Sequence, residues 1–430
     1  MTKPINYFPG YEYVEVKDSS GIVKEKHNMY RGIDVGFGGY VYGKPGMYTN
    51  VALLDVGNMH GASIIALNKF GDNTKNYVEI RQARMAIKAR DFESARKMLG
   101  GKLIPMVDEI ERLPKNSEEQ GAAIENLQLA LKIILNSTYG CAYATFDNPL
   151  RDKRDKNNII ALRGALFMKT LQDEVVKRGF DVISVKTDSL KVPEATSDII
   201  NFIIEFGRKY GYEFEHECTY EKICLVNDAV YVAKYDELGV RNKGNKHAGK
   251  WTATGAQFQQ PYVFKTLFSK EPIEHEDVCE TKEVSKGSGI YLDMNESLPS
   301  DEHNYIFVGR VGQFCPIKAG CGGGILVREK DGKYDAVTGT KKPSYDKASG
   351  EEPTYRWLET EVVNNLNKWD DVDTSYYKHL VDEAVSDISK YGDFEWFVSD
   401  DPVPKPEEKR IVPEDFMNIP ETATDELPFD

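Results

Sequence analysis

Two aspartates next to apolar, strand-forming runs constrain the fold of this 430-residue chain more than any other feature. Asp55 follows the apolar run at 51–54, and Asp188 lies between the apolar segments 180–185 and 190–192. The second pattern predicts a β-hairpin with Asp188 near its turn, because strand-forming runs flank a short polar segment. Carboxylates at strand ends can hold a pair of Mg²⁺ ions. The two aspartates are therefore the candidate metal ligands.

The segment between these aspartates contains a helix with a cationic face. Lys132, Asn136 and Tyr139 follow one another at i, i+4 and i+7, so they share one side of a helix. A lysine in this position can hold the phosphates that a metal pair activates. The combination predicts a site for a phosphate-bearing substrate.

The order and form of these three segments resemble motifs A, B and C of family B DNA polymerases, most closely those of bacteriophages. The resemblance extends well over about 30–265 and only loosely beyond. It implies an α+β right-hand polymerase with a palm sheet, two-helix fingers and a mixed thumb. It also implies a DNA-directed DNA polymerase, a nucleotidyltransferase that adds dNTPs to the primer 3′-end of primer–template DNA by a two-metal mechanism. Two Mg²⁺ ions are the expected cofactors, and Mn²⁺ is possible.

The pattern along the chain divides it into five predicted parts. The N-terminal part of the palm, with motif A, would occupy 1–75, and the fingers 76–136. The rest of the palm, with motif C, would occupy 137–260, and the thumb and C-terminal region 261–400. The acidic, proline-rich segment 401–430 is predicted to be a disordered tail.

Hydrophobic spacing predicts the secondary structure within this frame. A loop containing Pro105 and Pro114 would join the two helices of the fingers, residues 212–235 would be mostly strand, and 236–250 would be a basic loop. Helices are expected at 76–99, 118–136, 159–178, 196–211, 355–367 and 374–391.

The resemblance assigns Asp55 and Asp188 as catalytic residues and metal ligands, and gives the carbonyl group of Val56 a place on a metal. The family's motif C usually carries a further acid where this chain has Lys186. Asp188 therefore matches the main ligand, and Lys186 adds a cation beside the metals.

Motif A departs from the family pattern after Asp55. The turn that contains Asn58 and Met59 can still aim backbone N–H groups at the β- and γ-phosphates of a nucleotide. His60 falls where the family has a tyrosine that packs under the deoxyribose and excludes a 2′-hydroxyl. Because imidazole is smaller and polar, sugar discrimination does not carry over directly. A simple capping histidine is the alternative interpretation.

The remaining nucleotide-binding residues are predicted on the two helices of the fingers. Arg84 and Lys88, at i and i+4, resemble the pair of cations that grips the triphosphate in family B fingers. They would face Lys132, Asn136 and Tyr139. A solvated basic face is the alternative for Arg84 and Lys88.

The predicted DNA track combines glycines, tyrosines and a basic loop. The segment 37–40 resembles the family's Tyr-x-Gly-Gly element, and Tyr231 falls near the position of its Lys-x-Tyr element. The lysines of the basic loop suit phosphate contacts that do not depend on the DNA sequence. A turn and a solvated loop are the alternatives. The assigned residues are Gly38, Gly39, Tyr40, Tyr231, Lys243, Lys246 and Lys250.

The net charge of −14 is unusual for a nucleic-acid-binding protein, but it is unevenly distributed. Residues 393–430 contain twelve acids and three bases, a net of −9, which leaves −5 for the other 392 residues. A polymerase needs only a local positive track, because screening confines a charge's field to about 10 Å. The acidic total therefore does not exclude the family.

The sequence also carries expectations about partners and location. Only 54 residues precede Asp55, too few for a proofreading domain of about 100–200 residues. We therefore expect either that a separate exonuclease subunit supplies proofreading or that the enzyme does without it. Leu427 and Phe429 could dock the tail on a sliding clamp or another replisome protein, with a solubility tail as the alternative. No apolar stretch reaches membrane-span length and no secretion signal is visible, so we expect a cytoplasmic protein, in the host cytoplasm if phage-encoded.

Two other functions stay open. The changed motif A and Lys186 are compatible with a non-catalytic, polymerase-like replication scaffold, although Asp55, Lys132 and Asp188 are all present. His60 is compatible with a primer- or RNA-synthesising polymerase.

Overall fold

The computed structural model describes residues 8–151, 158–241, 244–284, 289–299, 302–330, 344–347 and 355–407. It combines helices with antiparallel sheets, which agrees with the predicted α+β class. The chain divides into two compact units. The first comprises the described parts of Met1–Asp228, Lys234–Gly249 and Val403–Asp430, and the second those of Ala229–Ala233 and Lys250–Pro402. The finer division into palm, fingers, thumb and tail stays a prediction.

The first unit contains a small and a large antiparallel sheet. The small sheet has the order β1-β2-β3, and the strands of this unit in the large sheet have the order β8-β5-β7-β6-β4. This order places the end of β5 beside the hairpin β6–β7. The strands are β1 (Tyr11–Lys17), β2 (Val23–Tyr30), β3 (Ile33–Asp34), β4 (Val41–Gly43), β5 (Gly46–Val56), β6 (Ser184–Lys186), β7 (Ser189–Val192) and β8 (Phe214–Leu225).

Seven helices lie in the described part of the first unit. α6 and α7 cover the large sheet, where Leu166 and Phe202 pack in one core with Leu54 and Val185. A separate core joins α2 to α5 and includes Ile87. The helices are α1 (Met59–Ala66), α2 (Thr74–Lys88), α3 (Phe92–Lys97), α4 (Ile104–Arg112), α5 (Glu118–Tyr143), α6 (Ile159–Lys177) and α7 (Ser197–Lys209).

The second unit is built on two further antiparallel sheets with the orders β11-β14-β17 and β13-β12-β15-β16. Phe314, Trp357 and Tyr377 form the centre of its core. Its strands are β10 (Trp251–Thr254), β11 (Glu280–Glu283), β12 (Ile290–Asp293), β13 (Tyr305–Gly309), β14 (Val311–Ile317), β15 (Ile325–Lys330), β16 (Ser344–Lys347) and β17 (Arg356–Glu359). Its helices are α8 (Ala256–Gln259), α9 (Pro261–Phe264), α10 (Thr360–Asn365), α11 (Ser375–Ser389) and α12 (Phe394–Val398). β9 (Tyr231–Tyr235) lies where the chain passes between the units.

Three secondary-structure predictions are wrong in an instructive way. The helix predicted at 76–99 is interrupted, because Arg90 adopts a left-handed φ of 59° and the Asp91 carboxylate caps α3 by accepting from the Ser94 amide. The predicted loop between the finger helices contains α4, with Pro105 in its first turn, where proline is tolerated. The helix predicted from 118 continues beyond 136 to Tyr143.

A fourth wrong prediction lies in the second unit and concerns its packing. The segment 355–367 was expected to be one helix, but Arg356–Glu359 forms β17, and only Thr360–Asn365 is helical. β17 pairs with β14, and Trp357 is buried in the core. Long-range pairing and burial therefore outweigh local helix propensity.

The other expected elements are present. The hairpin around Asp188 forms as β6–β7, the helices at 159–178, 196–211 and 374–391 correspond to α6, α7 and α11, and 212–235 contains β8 and β9. No helix in the described ranges is long and apolar enough to cross a membrane. The predicted tail falls largely at 408–430, outside the described residues.

Candidate active site

The two aspartates lie side by side at one end of the large sheet. Asp55, near the end of β5, is opposite Ser189 in β7. The Val56 amide donates to the carbonyl oxygen of Asp188 over 2.9 Å, which ties the end of β5 to the hairpin turn. Adjacent strands bring side chains on one face within about 5 Å of each other. Strand register therefore sets the spacing of the two carboxylates.

A tight turn presents Asp188. The Asp188 amide donates to the carbonyl oxygen of Lys186 over 2.7 Å, and Thr187 between them has a φ of 55°, which is uncommon for a β-branched residue. The Thr187 amide donates to the carbonyl oxygen of Tyr40, which fixes the turn from its other side. Such strained turns concentrate at functional sites.

The turn after β5 leads directly into α1. Asn58 has a left-handed φ of 62°, and its side chain accepts from the Gly61 amide over 3.2 Å. A Cβ atom at Gly61 would lie 2.7 Å from the Tyr77 hydroxyl oxygen, so only glycine fits there. Met59 and His60 occupy the first turn of α1, where amide groups have no acceptor within a helix. These amides can bind an anionic ligand.

A cavity of about 580 Å³ lies in front of the two aspartates. Strand ends and the first turn of α1 form one wall, and α2 and α5 form the other. All the residues predicted to be catalytic, metal-binding or nucleotide-binding line it. They are Asp55, Val56, Asn58, Met59, His60, Arg84, Lys88, Lys132, Asn136, Tyr139 and Asp188.

His60 and Tyr139 connect the two walls of this cavity. Their rings stack with centroids 4.2 Å apart and planes 12° from parallel. The Tyr139 hydroxyl accepts from the Asn158 side chain over 3.1 Å. His60 Nδ1 is buried and has no hydrogen-bond partner among the described residues. Burial lowers the pKa of His60, against the opposing charge of Asp188, so the ring is neutral at pH 7 and can pair with a polar ligand atom.

The carboxylates repel one another. Burial, followed by the charges of Asp188, Glu217 and Glu215, raises the pKa of Asp55 to about 7. Burial also raises the pKa of Asp188. A bound cation would relieve both effects, and Mg²⁺ prefers such hard oxygen donors.

No group of three or more His, Cys, Asp or Glu side chains able to hold a metal occurs among the described residues. Mg²⁺ is commonly held by one or two carboxylates, with water and substrate phosphates completing its coordination. Asp55 and Asp188, with the carbonyl group of Val56 nearby, therefore fit such a site.

Four polar side chains that line the cavity are not among the site residues predicted from the sequence: Tyr77, Arg81, Glu213 and Glu215. Arg81 forms an ion pair with Glu213 at 3.0 Å, and Glu215 lies opposite Asp55 across β5 and β8. Glu213, Glu215 and Glu217 alternate along the chain, a spacing that directs strand side chains to one face. This alternation was the signal available in the sequence.

The glycine segment 36–39 contacts the hairpin β6–β7. Gly39 has a φ of 142°, and a Cβ atom there would lie 2.9 Å from the Thr187 side chain, whereas Gly38 is exposed. Tyr40 is buried, and its hydroxyl donates to Gln172 over 2.7 Å. Burial raises the pKa of Tyr40 to about 12. The Tyr40 ring is therefore buried in this structure, and a role for Tyr40 in DNA binding stays a prediction.

The other DNA-binding candidates are not among the residues that line the cavity. Tyr231 is half-buried, and its amide donates to the Thr254 hydroxyl over 3.2 Å. Lys246 and Lys250 are exposed, and Lys243 lies outside the described residues. Their contacts with DNA stay predictions.

Two other cations, one in the predicted basic loop and one just before it in β9, are already paired. Arg241 pairs with Asp236 at 2.9 Å, and Lys234 pairs with Glu221 at 3.6 Å. The loop is therefore less available for phosphate than its composition indicates.

Comparison with known proteins adds a low-level structural likeness. No family model matches the sequence, and no curated protein matches it. Among solved structures, the chain is similar to the family B DNA polymerase from the hyperthermophilic archaeon Pyrobaculum calidifontis, with 13% identity and a TM-score of 0.42. The match covers 86% of this chain and 49% of that polymerase, so this chain spans about half of its length. A likeness this low carries no conclusion about activity.

Proposed function

We propose that the chain is a template-directed DNA polymerase core that adds dNTPs to a primer 3′-end by a two-metal mechanism. One observation carries the proposal: a single cavity has the two aspartates on one wall and cationic side chains of α2 and α5 on the other. The aspartates are Asp55 and Asp188, and the cations are Arg84, Lys88 and Lys132, besides Arg81, which is paired with Glu213. A nucleoside triphosphate with its metal ions needs this complementary pair of surfaces.

The residues that line the cavity would have distinct roles. Asp55 and Asp188, with the carbonyl group of Val56, would hold two Mg²⁺ ions, and Mn²⁺ suits the same donors. When bound, the ions supply Lewis acidity to the primer hydroxyl and the triphosphate.

The cationic helices would neutralise the triphosphate, and the first-turn amides of Met59 and His60 would orient it. Asn136 would add a polar contact on the same face of α5 as Lys132. The stacked rings of His60 and Tyr139 would support the sugar and the base.

Primer–template DNA is the proposed macromolecular ligand. Phosphate contacts would come from Lys246 and Lys250 and from the backbone of Gly38 and Gly39. Tyr231 would lie near the primer. A separate exonuclease subunit, and a clamp or other replisome protein bound by the tail, belong to the same proposal, as does a cytoplasmic location.

A primer- or RNA-synthesising polymerase is the second candidate, and His60 favours it. A neutral imidazole with an unpaired, buried nitrogen can bond a 2′-hydroxyl, which a tyrosine ring in this position would exclude. A non-catalytic scaffold is the third candidate, but it gives no reason for carboxylates and cations to converge on one cavity.

A primer-extension assay with the full chain tests all three candidates. Labelled primer–template DNA is incubated with Mg²⁺ and separate pools of dNTPs and NTPs. Extension mainly with dNTPs supports the proposal, and preferential use of NTPs supports the second candidate. If the protein binds duplex DNA but extends no primer with Mg²⁺ or Mn²⁺, the scaffold is the better explanation.

A further inference from the structure

Two cysteines in the second unit lie opposite each other across neighbouring strands. β11 and β14 are antiparallel, with Glu280 opposite Phe314, so continuing the register by one residue places Cys279 opposite Cys315. Their Sγ atoms are 3.6 Å apart. Directly opposed strand residues have Cα separations of about 4.5–5.5 Å, within the range that a disulfide spans. The pair can therefore be bridged with little backbone movement.

The two thiols differ in access. Cys279 is half-buried and lines a cavity of about 740 Å³, which admits small molecules. Cys315 is fully buried, and its Sγ lies 3.6 Å from the Thr360 hydroxyl. A dissolved oxidant would therefore meet Cys279 first.

The two thiols also differ in the direction in which their pKa values are shifted. A hydrogen bond from the Cys315 thiol to Cys279 lowers the pKa of Cys279 to about 7, although burial and the charges of Glu276 and Glu280 oppose it. The same contact and burial raise the pKa of Cys315. Thiolate is the nucleophilic form, so Cys279 can attack while Cys315 stays protonated until it is needed.

We propose that Cys279 and Cys315 are a reversible oxidation site that takes hydrogen peroxide or a related small hydroperoxide. The Cys279 thiolate attacks one peroxide oxygen, the O–O bond breaks, and hydroxide leaves as Cys279 becomes a sulfenic acid. The Cys315 sulfur then attacks the Cys279 sulfur, an S–S bond forms, and the sulfenic oxygen leaves as water with the Cys315 proton. A small dithiol then reduces the Cys279–Cys315 disulfide to two thiols by two exchange steps and is itself oxidised to a disulfide.

The bridge would connect the start of β11 to β14, the central strand of its sheet. It would close a loop between residues 36 positions apart. A cross-link over a loop of this length restricts the unfolded chain, so oxidation should raise the thermal unfolding midpoint of the second unit. This site acts independently of the polymerase proposal.

Differential alkylation with peptide mass spectrometry tests the site in the full chain. After brief exposure to hydrogen peroxide, the Cys279 and Cys315 peptides should appear joined, two hydrogens lighter, and a dithiol should restore both thiols. Cys321, half-buried in the same unit, is the internal control and should stay alkylatable. Preferential oxidation of Cys141, Cys218, Cys224 or Cys321, or only intermolecular cross-links, would overturn the proposal.

Variants of Cys315 separate the attack of Cys279 on the oxidant from the formation of the disulfide by Cys315. In Cys315→Ala, a sulfenic acid should accumulate on Cys279 and react with dimedone, and alkylation of Cys279 at pH 7 should slow by about tenfold as its thiolate fraction falls. Cys315→Ser is the second variant in case alanine disturbs the core, and Cys321→Ala is the matched control. Unchanged Cys279 reactivity without the Cys315 thiol, in a protein with a normal melting curve, contradicts the assignment.

Discussion

The two walls of the candidate active-site cavity are built differently. The acidic wall is held by backbone hydrogen bonds between strands, and its aspartates are half-buried. The cationic wall consists of long side chains on two helices that have their own core, and Lys88 and Lys132 are exposed. Repulsion between like charges is therefore concentrated on the acidic wall, while the two lysines stay solvated. Acidic-wall changes should affect both stability and catalysis, and cationic-wall changes mainly ligand binding.

Removing an acid should have the largest effect. Asp55→Ala or Asp188→Ala should reduce primer extension by about 10³-fold or more, because each variant loses a ligand for the metal pair. Primer-extension rates and duplex-binding affinity are measured together. Asp181→Ala, an acid of the same unit paired with Lys44, is the matched control. Normal turnover by either cavity variant would refute the site.

Removing a cationic side chain should have a smaller effect, confined to the binding and use of the nucleotide. Lys132→Ala should raise the KM for dNTP or lower kcat by roughly 10²-fold through lost phosphate stabilisation. Steady-state kinetics with varied dNTP measure it, and Lys97→Ala, paired with Glu93 outside the cavity, is the control. A fall in primer–template affinity with unchanged dNTP kinetics would assign the helix to DNA instead.

The His60 ring should control whether ribonucleotides or deoxyribonucleotides are used. His60→Tyr should lower the use of ribonucleotides relative to deoxyribonucleotides by about tenfold, because the larger ring would clash with a 2′-oxygen. Competition between NTP and dNTP pools gives the ratio. Tyr139→Phe keeps an aromatic ring opposite His60 but loses the acceptor for Asn158, and should leave the ratio unchanged. An unchanged ratio in His60→Tyr means that another residue selects the sugar.

The repulsion on the acidic wall should appear as a pH-dependent cost to stability. The pKa of Asp55 is about 7 in the folded protein, above its ordinary value of 3.8, so the folded state binds more protons between these values. The free energy of unfolding of the metal-free protein should therefore fall as pH rises from about 4 to about 7.

Asp55→Asn should remove this slope and stabilise the metal-free protein at pH 7 by about 1–2 kcal/mol, after allowing for solvent screening. Urea unfolding at several pH values measures both effects. Mg²⁺ should stabilise the wild-type protein at pH 7 more than this variant. If the free energy of unfolding has the same pH dependence in the wild-type protein and in Asp55→Asn, repulsion at Asp55 does not destabilise the acidic wall.

Much of the site could be predicted because it depends on local spacing. The interval from Lys132 to Tyr139 sets one helix face, and the apolar runs around Asp188 set a hairpin, whatever surrounds them. The resemblance to family B polymerases then predicts that these two segments form one site with Asp55. The roles of the residues stay predictions, but their convergence on one cavity is a property of the fold.

Other features depended on partners distant in the sequence. The register of β5 with β8 brings Glu215 opposite Asp55, and Tyr40 is buried in the core with its hydroxyl hydrogen-bonded to Gln172. Pairing with β14 turns Arg356–Glu359 into a strand, against a helical pattern. The sequence by itself determined which side chains share a helix face or a turn, because those relations are fixed by backbone geometry within a few residues. Only the tertiary structure decided which charges meet and which rings are buried, because strand register and core packing depend on contacts across the whole unit.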